Sequence, residues 1–469
     1  MNQSKLLQLL RTFRKEEWRR FREFLESPYF NKRDDLLRFY GYLNSIAPEM
    51  PEKKLEKELV FEKIFPGQKY DDKQLKYTMN YLLKKAEQFL VHQKLEGNPP
   101  LRNNILLDTL VNRKLNKHYN GYLGRVTADL DKRKKENSNY YYHKYQLADI
   151  ANVHYTLQNL RKYDDRLQKV SDSLDEFYFL NKLKYSCEML NRSKVVEGNY
   201  GIHFIEEVIS FLSEHSDRKN PLLSVYMEVY FTLVKDHADI HFETIKKLLG
   251  IYGDQFPDFE KRVIYLYAIN FCGTQIASNH KRTYYVKECL QLYITGIDKE
   301  FLLNNGNLSP WTFKNVIRLG LNLKEFDWTE QFIHTHHKKL VPEFQEDALH
   351  YNLADLAFKR KKYSEAQYHL LLVQYSDIFY YLGAKEMLLK IYFEEKEVEA
   401  LFALIASFSI YLRRNKKISD NFKNTYLNFA AILQQILRAK PDRIPSIVER
   451  IRKTELLTSR NWLLSICEQ

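Results

Sequence analysis

The chain has 469 residues, of which 44% are hydrophobic and 28% are charged, so it holds enough apolar side chains for a large core and is not expected to be disordered. Glycine and proline are scarce, with 14 and 12 residues, and this scarcity disfavours folds that are rich in strands and turns. The net charge is +13, and the basic residues are concentrated towards both ends around a mildly acidic middle. Such a distribution permits, without requiring, an acidic partner or a nucleic acid.

The cysteines and the apolar runs indicate where the protein is found. Four cysteines are scattered along the chain without a CxxC pair or a zinc-ligand spacing, which is typical of reduced thiols: Cys187, Cys272, Cys289 and Cys467. The N-terminal sequence MNQSKLLQLLRTFRKEE has no apolar core of signal-peptide length. The longest uncharged runs, 400–412 and 424–437, are shorter than the roughly 20 apolar residues that span a bilayer. We therefore expect a cytoplasmic protein that does not enter a membrane.

Apolar residues recur with the period of an α-helix along nearly the whole chain, so the sequence predicts an all-α fold. In the N-terminal helical domain, residues 1–97, we predict helices over 5–13, 16–25, 36–46, 52–64 and 72–95. The breaker Gly97-Asn98-Pro99-Pro100 marks the predicted end of this domain.

Residues 101–306 are predicted to form a central array of helical hairpins, because short breaks separate the helical stretches. The predicted helices are 103–119, 122–135, 140–160, 165–190, 202–213, 222–234, 242–251, 259–278 and 281–293.

Residues 307–412 contain a repeated pattern, which is clearest in YNLADLAFKRKKYSEA, from Tyr351 to Ala366. Two small residues, Ala354 and Ala366, stand where two helices of a hairpin would cross closely, and Tyr363 would fill the turn between them. This spacing of small and aromatic residues resembles the tetratricopeptide repeat.

A second copy, KEMLLKIYFEEKEVEA, places Tyr392 34 residues after Phe358 and Ala400 34 residues after Ala366, which is the tetratricopeptide period. An earlier and weaker copy is FKNVIRLGLNLKEFDWT, in which Thr329 takes the place of Ala366 with a spacing of 37 residues. The turn glycine of the family is replaced in the three copies by Lys324, Lys361 and Glu395. The chain as a whole resembles uncharacterised bacterial proteins with such repeats, and that resemblance implies no function.

The resemblance implies a tetratricopeptide-like α-solenoid whose first helices line a concave groove, with residues 413–469 as a C-terminal helical cap that packs Trp462, Leu463 and Leu464 inward. In the family this groove takes an extended peptide or a partner helix. The corresponding residues here are Lys314, Arg318, Asn322, Tyr351, Asp355, Lys359, Lys385, Leu389 and Phe393.

The predicted groove is partly cationic, since it includes Lys314, Arg318 and Lys385. Such a surface suits a protein or peptide with acidic side chains or a free C-terminal carboxylate. Two alternatives stay open at this point: an ordinary charged surface, and a groove filled by the protein's own C-terminal helices.

A second candidate surface lies on the predicted helix 72–95, where basic and polar residues fall on another side from the apolar stripe: Lys73, Lys76, Asn80 and Lys84. Two helices joined by a turn, with a basic second helix, resemble a helix-turn-helix reader of nucleic acid. The turn is long for that motif and no wing is visible, so a solvated basic face is the alternative.

Motifs of catalysis are missing from the sequence. It contains no GxxxxGK[ST], GxGxxG or GxSxG. His237 and His241 have the spacing of a chelating pair but no third ligand, and His334, His336 and His337 suit a helix C-terminus. We therefore expect no metal, no cofactor and no enzymatic activity. The sequence predicts a non-enzymatic scaffold for a protein or peptide partner, or alternatively a nucleic-acid-associated regulator that uses its basic N-terminal domain.

Overall fold

The structure is a computed structural model, and it describes residues 1–133, 135–158, 162–193, 200–215, 220–235, 238–373, 378–416 and 418–468. Across these ranges the chain is all-α and forms no strand, as the helical periodicity predicts. Among the helices described, none combines the length and the apolar character that a bilayer-spanning segment requires.

The described residues form 23 α-helices, numbered here in chain order. The first eight are α1 (Lys5–Leu10), α2 (Lys15–Glu26), α3 (Asp34–Ser45), α4 (Lys57–Ile64), α5 (Asp72–Glu96), α6 (Pro99–Asn112), α7 (Asn116–Asp131) and α8 (Ser138–Thr156). The next eight are α9 (Arg166–Ser193), α10 (Ile205–Glu214), α11 (Pro221–Val234), α12 (Asp239–Tyr252), α13 (Asp258–Ala277), α14 (Arg282–Asp298), α15 (Pro310–Asn322) and α16 (Phe326–His336). The last seven are α17 (Pro342–Lys359), α18 (Tyr363–Leu372), α19 (Ile378–Glu394), α20 (Val398–Arg414), α21 (Asp420–Arg438), α22 (Ile444–Lys453) and α23 (Arg460–Cys467).

The chain divides into two compact units. The first comprises Met1–Lys134 and Ser138–Tyr178, and the second comprises Lys135–Asn137 and Phe179–Gln469. The breaker Gly97-Asn98-Pro99-Pro100 lies inside the first unit, where Gly97 and Asn98 connect α5 to α6 and the prolines begin α6. Asn98 caps α6 by accepting a hydrogen bond from the backbone N–H of Leu101, and the two prolines occupy the first turn, where no N–H is needed.

In the first unit, α1 to α5 enclose a core rich in aromatic rings. Phe21 lies at its centre and contacts the rings of Phe13, Tyr40 and Phe89 at centroid distances of 5.2–5.7 Å. The same helices therefore hold a core of their own, and α5 contributes one face to it while its other face stays exposed.

In the second unit, three consecutive hairpins follow one another: α15 with α16, α17 with α18, and α19 with α20. The first helix of each hairpin also packs on the first helix of the next, α15 on α17 and α17 on α19. Ala354 and Ala366 are completely buried at the crossing of α17 and α18, which explains why both are small.

The three hairpin turns share one backbone geometry in which a lysine adopts the left-handed conformation: Lys324 (φ 61°), Lys361 (φ 62°) and Lys396 (φ 60°). In each turn the next residue donates its backbone N–H to a carbonyl five residues earlier, as Lys362 does to Ala357 at 2.9 Å. The equivalent residue of the third turn is therefore Lys396, and the prediction of Glu395 is wrong by one position. The second and third hairpins are 35 residues apart, not 34, so Leu401 and not Ala400 corresponds to Ala366.

The same turn separates α6 from α7, where Lys114 has a φ of 57° and the N–H of Leu115 bonds to the carbonyl of Leu110. The predicted single helix 103–119 is wrong at this point. A break formed by a lysine carries no glycine or proline, so the sequence gives no sign of it.

The C-terminal helices α21 to α23 pack against α19 and α20 around a separate core. Leu463 is completely buried there, and Trp462 and Leu464 pack against the same core, as predicted for the cap.

Candidate functional site

A large open groove lies in the second unit. Its volume is about 1180 Å³, and its walls come from α13, α14, α15 and α17, with Asn191 of α9, Lys390 of α19 and residues 459–462 of the C-terminal segment. The groove is thus assembled from residues far apart in the sequence.

Four of the predicted groove residues line it. Arg318 and Asn322 come from α15, and Asp355 and Lys359 come from α17. Each pair is separated by four residues, so both side chains of a pair project from one side of their helix. The structure therefore brings these four together on neighbouring helices.

Five predicted residues do not line the groove. Leu389 is 0% exposed and Tyr351 is 7% exposed, so both are core residues and do not belong to the surface of the groove. The Nζ of Lys314 lies 4.7 Å from the centre of the Tyr351 ring. Lys385 is half-buried, which lowers the pKa of its ammonium, and its Nζ lies 5.5 Å from the ring of Tyr381. Phe393 packs edge-on against Trp462 at 5.4 Å.

The error in α19 has one cause, the spacing of 34 residues that the sequence suggested. A spacing of 35 residues, as the hairpin turns show, assigns Lys390 to the position of Asp355. Lys390 does line the groove, whereas Leu389 points into the core. The groove therefore presents Arg318, Asp355 and Lys390 on three neighbouring helices, with charges that alternate in sign.

Among the described residues of the lining, cations outnumber carboxylates: Asp355 is the one carboxylate, beside the five cations Arg282, Arg318, Lys359, Lys390 and Arg460. Arg460 is occupied by backbone carbonyls, among them that of Arg452 at 2.9 Å, and Arg282 donates to the carbonyl of Ile276 at 3.1 Å.

Arg318 and Lys359 are different from the other cations. Neither has a hydrogen bond or an ion pair with any of the residues that the structure describes, and both are exposed. These two charges are therefore available to a ligand.

Amide side chains form the second feature of the lining. They are Asn191, Asn270, Asn315, Asn322 and Asn461. Asn270 donates to the side chain of Asn191 at 3.4 Å, and Asn315 donates to the hydroxyl of Tyr293 at 3.3 Å. An amide carries both a donor and an acceptor, so it can bond to the C=O and the N–H of an extended backbone.

The C-terminal wall of the groove is held by a buried carboxylate. Glu386 on α19 accepts hydrogen bonds from Lys390 at 2.8 Å, from the hydroxyl of Thr458 at 3.1 Å and from the hydroxyl of Ser459. Burial alone would raise the pKa of Glu386, but these three donors hold it below its ordinary value. The charged carboxylate therefore fixes the start of α23.

Trp462 completes that wall. Its Nε1–H donates to Glu394 at 3.0 Å, and its ring contacts Phe393 at 5.4 Å and Phe429 at 6.1 Å. The C-terminal segment thus covers part of the surface that the sequence assigned to the groove, while Arg318, Asn322, Asp355 and Lys359 still line it.

Comparison of the chain with protein-family models, with curated proteins and with solved structures found no match. The site is therefore interpreted from its own chemistry.

The described part of the chain contains no group of three or more His, Cys, Asp or Glu side chains arranged to hold a metal ion. His237 lies outside the described residues. The Nδ1 of His241 lies 2.6 Å from a carboxylate oxygen of Glu228. His336 stacks on Phe332 at 4.2 Å.

The second predicted surface lies on α5 in the first unit. Lys73, Lys76, Asn80 and Lys84 are all exposed there. Lys76 forms an ion pair with Asp72 at 2.7 Å, and the Nζ of Lys84 lies 6.0 Å from the ring centre of Tyr81. The opposite face of α5, which includes Leu75 and Leu82, is buried.

Proposed function

We propose that this protein is a non-enzymatic scaffold that binds an acidic peptide segment of a partner protein in the groove of the second unit. The observation that carries the proposal is a pair of exposed cations, Arg318 and Lys359, that have no hydrogen-bond or ion-pair partner among the described residues and that line the groove together with five asparagine side chains. Carboxylates of a peptide can pair with the two cations, and its backbone can bond to the amides.

The shape of the groove supports a peptide over a small molecule. A volume of about 1180 Å³ exceeds what a typical drug-sized ligand fills, and the lining mixes polar and apolar side chains and is not mainly aromatic. A large groove of this mixed character suits an extended chain, which makes many weak backbone contacts and a few specific side-chain contacts.

The proposal includes a tetratricopeptide-like repeat array for residues 307–412. Three observations support it: the stacking of α15 on α17 and of α17 on α19, the shared lysine turn, and the spacings of 37 and 35 residues between those turns. We also place the protein in the cytoplasm, because Cys187, Cys272 and Cys289 are buried free thiols.

The test uses short fluorescein-labelled peptides and the full-length protein. A glutamate-rich peptide, its lysine-rich counterpart, and versions of both with an amidated C-terminus are titrated by fluorescence anisotropy. We expect the acidic peptides to bind and the basic ones not to bind. A stronger signal from the free C-terminus than from the amide would add a terminal carboxylate to the recognised features.

The variant Arg318→Glu/Lys359→Glu should lose this binding and keep its melting temperature, because neither side chain has a partner to lose within the described residues. The matched control, Lys73→Glu/Lys84→Glu, reverses two exposed lysines of the first unit and should bind like the wild type. Equal binding by both variants, or no preference for acidic peptides, would overturn the proposal.

A further inference from the structure

The exposed face of α5 carries an ordered row of aromatic and cationic side chains that the proposed function does not use. In chain order they are Lys73, Tyr77, Tyr81, Lys84, Gln88 and Val91. The steps between them are three or four residues, so all six lie on one side of the helix. The row is about 27 Å long, since an α-helix rises 1.5 Å per residue.

The middle of the row contains two tyrosine rings in fixed positions. The hydroxyls of Tyr77 and Tyr81 are 2.9 Å apart, and their ring centres are 4.6 Å apart in an edge-to-face arrangement. The guanidinium of Arg33 lies 4.4 Å from the centre of the Tyr81 ring. Arg33 is held in turn by Asp35, to which its Nε donates at 3.0 Å. Tyr77 is 57% exposed, so its ring is oriented by neighbours and still open to a ligand.

A second aromatic platform lies at the other end of the row. Tyr29 is 88% exposed and stands edge-on to Phe30 at 5.0 Å. Phe30 is stacked on Phe24 at 4.2 Å and contacts the ring of His92 at 4.7 Å. Between this platform and α5 lies a shallow groove of about 600 Å³, whose walls include Lys84 and Lys85.

The charge of this face is positive but modest. Asp72 is paired with Lys57 and Lys76, and Asp35 with Arg33, while Glu87 lies on the shallow groove. Three lysines outside these ion pairs stand along the row and the groove: Lys73, Lys84 and Lys85. Lys85 also donates to the backbone carbonyl of Phe30 at 2.5 Å.

Exposed aromatic rings that alternate with lysines match the chemistry of a single-stranded nucleic acid. The flat faces of unpaired bases stack on aromatic side chains, and phosphates pair with neighbouring cations. A duplex keeps its bases stacked inside and depends on many phosphate contacts, which three lysines do not supply. The aromatic residues therefore favour single strands over the double-stranded ligand of a helix-turn-helix.

We propose that this face of the first unit binds single-stranded nucleic acid, with bases stacked on Tyr77 and Tyr29 and phosphates contacting Lys73 and Lys84. The site is separate from the peptide groove, and the two proposals stand or fail independently.

The experiment measures binding of labelled oligouridine and oligothymidine to the full-length protein by fluorescence anisotropy at several salt concentrations. We expect saturable binding, and the logarithm of the binding constant should fall against the logarithm of the salt concentration with a slope of about −1.4, because two lysines, Lys73 and Lys84, contact phosphates. Tyr77→Ala should weaken binding about tenfold or more through loss of stacking, whereas Tyr77→Phe keeps the ring and the affinity.

Tyr29→Ala is the second test, because a side chain that is 88% exposed can be removed without harm to the core. Tyr368→Ala is the control: this tyrosine of the second unit is 60% exposed, close to the 57% of Tyr77, and the variant should bind like the wild type. The groove variant Arg318→Glu/Lys359→Glu should also keep its affinity for the oligonucleotides.

Three results would overturn the inference. The first is no binding of either oligonucleotide at low salt. The second is that duplex DNA, a polyglutamate peptide or an anionic vesicle binds as tightly as the single-stranded oligonucleotides. That result would mean that negative charge alone determines binding to this face. The third is unchanged affinity in both Tyr77→Ala and Tyr29→Ala.

Discussion

The buried pair of Glu386 and Lys390 should stabilise the C-terminal half of the protein as a coupled unit. The ammonium and the carboxylate are 2.8 Å apart, with side-chain exposures of 16% and 10%. Removing one partner leaves the other charge buried without compensation, which typically costs about 3–5 kcal/mol. We therefore expect Glu386→Leu to lower the free energy of unfolding by about that amount, and Lys390→Met by somewhat less, because two hydroxyls still donate to Glu386.

The double variant Glu386→Leu/Lys390→Met should be far less destabilised than the sum of the two single variants. It has no charge left at this site, and it loses mainly the hydrogen bonds from Thr458 and Ser459, worth about 1 kcal/mol each. The interaction energy of this double-mutant cycle should be at least about 2 kcal/mol.

The assay is denaturation by guanidinium followed by far-UV circular dichroism on all four proteins. A matched control is the pair Glu449 and Lys453 on α22, which has the same spacing and a separation of 2.7 Å but is exposed. The interaction energy of the double-mutant cycle for Glu449 and Lys453 should be less than about 0.5 kcal/mol. If the effects of Glu386→Leu and Lys390→Met simply add, the carboxylate and the ammonium do not depend on each other and the reasoning fails.

Three further predictions concern the hairpins and the pH dependence. Lys361→Gly should raise the melting temperature or leave it unchanged, because glycine adopts a φ of 62° without strain. Lys361→Val should lower the free energy of unfolding by about 1–2 kcal/mol, and a stabilising valine would contradict the turn geometry. Ala366→Leu should lower the free energy of unfolding by about 1–3 kcal/mol, because it overpacks a completely buried position. Ala400→Leu should lower it less, because Ala400 is half-buried, and equal melting temperatures of the two variants would contradict the 35-residue register. Burial of His369 and the neighbouring His350, whose Nδ1 is 3.1 Å from the Nδ1 of His369, lower the pKa of His369 in the folded protein. As the pH falls, the unfolded chain therefore takes up this proton before the folded protein does. The contribution of neutral His369 to the free energy of unfolding is complete above about pH 6.5 and is lost as the pH falls below that value. Melting curves should therefore show a smaller loss between neutral and mildly acidic pH in His369→Gln than in the wild type, and identical pH profiles would contradict this assignment.

The sequence predicted the helical fold well, because long amphipathic stretches reveal a buried face directly. The predicted helix 72–95 agrees with α5 to within one residue. The break at Lys114 was missed for a physical reason. Backbone hydrogen bonds hold that turn in the left-handed conformation, so it needs no glycine, and a lysine there looks like any exposed residue of a helix.

The groove was predicted in part for a related reason. Arg318, Asn322, Asp355 and Lys359 lie together on α15 and α17 because their spacing of four residues on each helix is local, and their role in binding stays a prediction. The residues of α19 were shifted by one, since the length of the connection between hairpins is not encoded in any short motif. The wall formed by residues 459–462 depends on contacts with α19 that are about 70 positions away in the chain, and sequence periodicity contains no record of such contacts.

The anchoring of the C-terminal wall has a consequence for biosynthesis. Ser459 leaves the ribosome 73 residues after Glu386, to which it must bond. At a translation rate of about 5–20 residues per second, this interval lasts roughly 4–15 seconds. During that time Trp462 has not been synthesised, so the ring of Phe393 lacks its edge-on contact with the indole. The wall of the groove that residues 459–462 form can therefore be completed only after all its other walls have been synthesised.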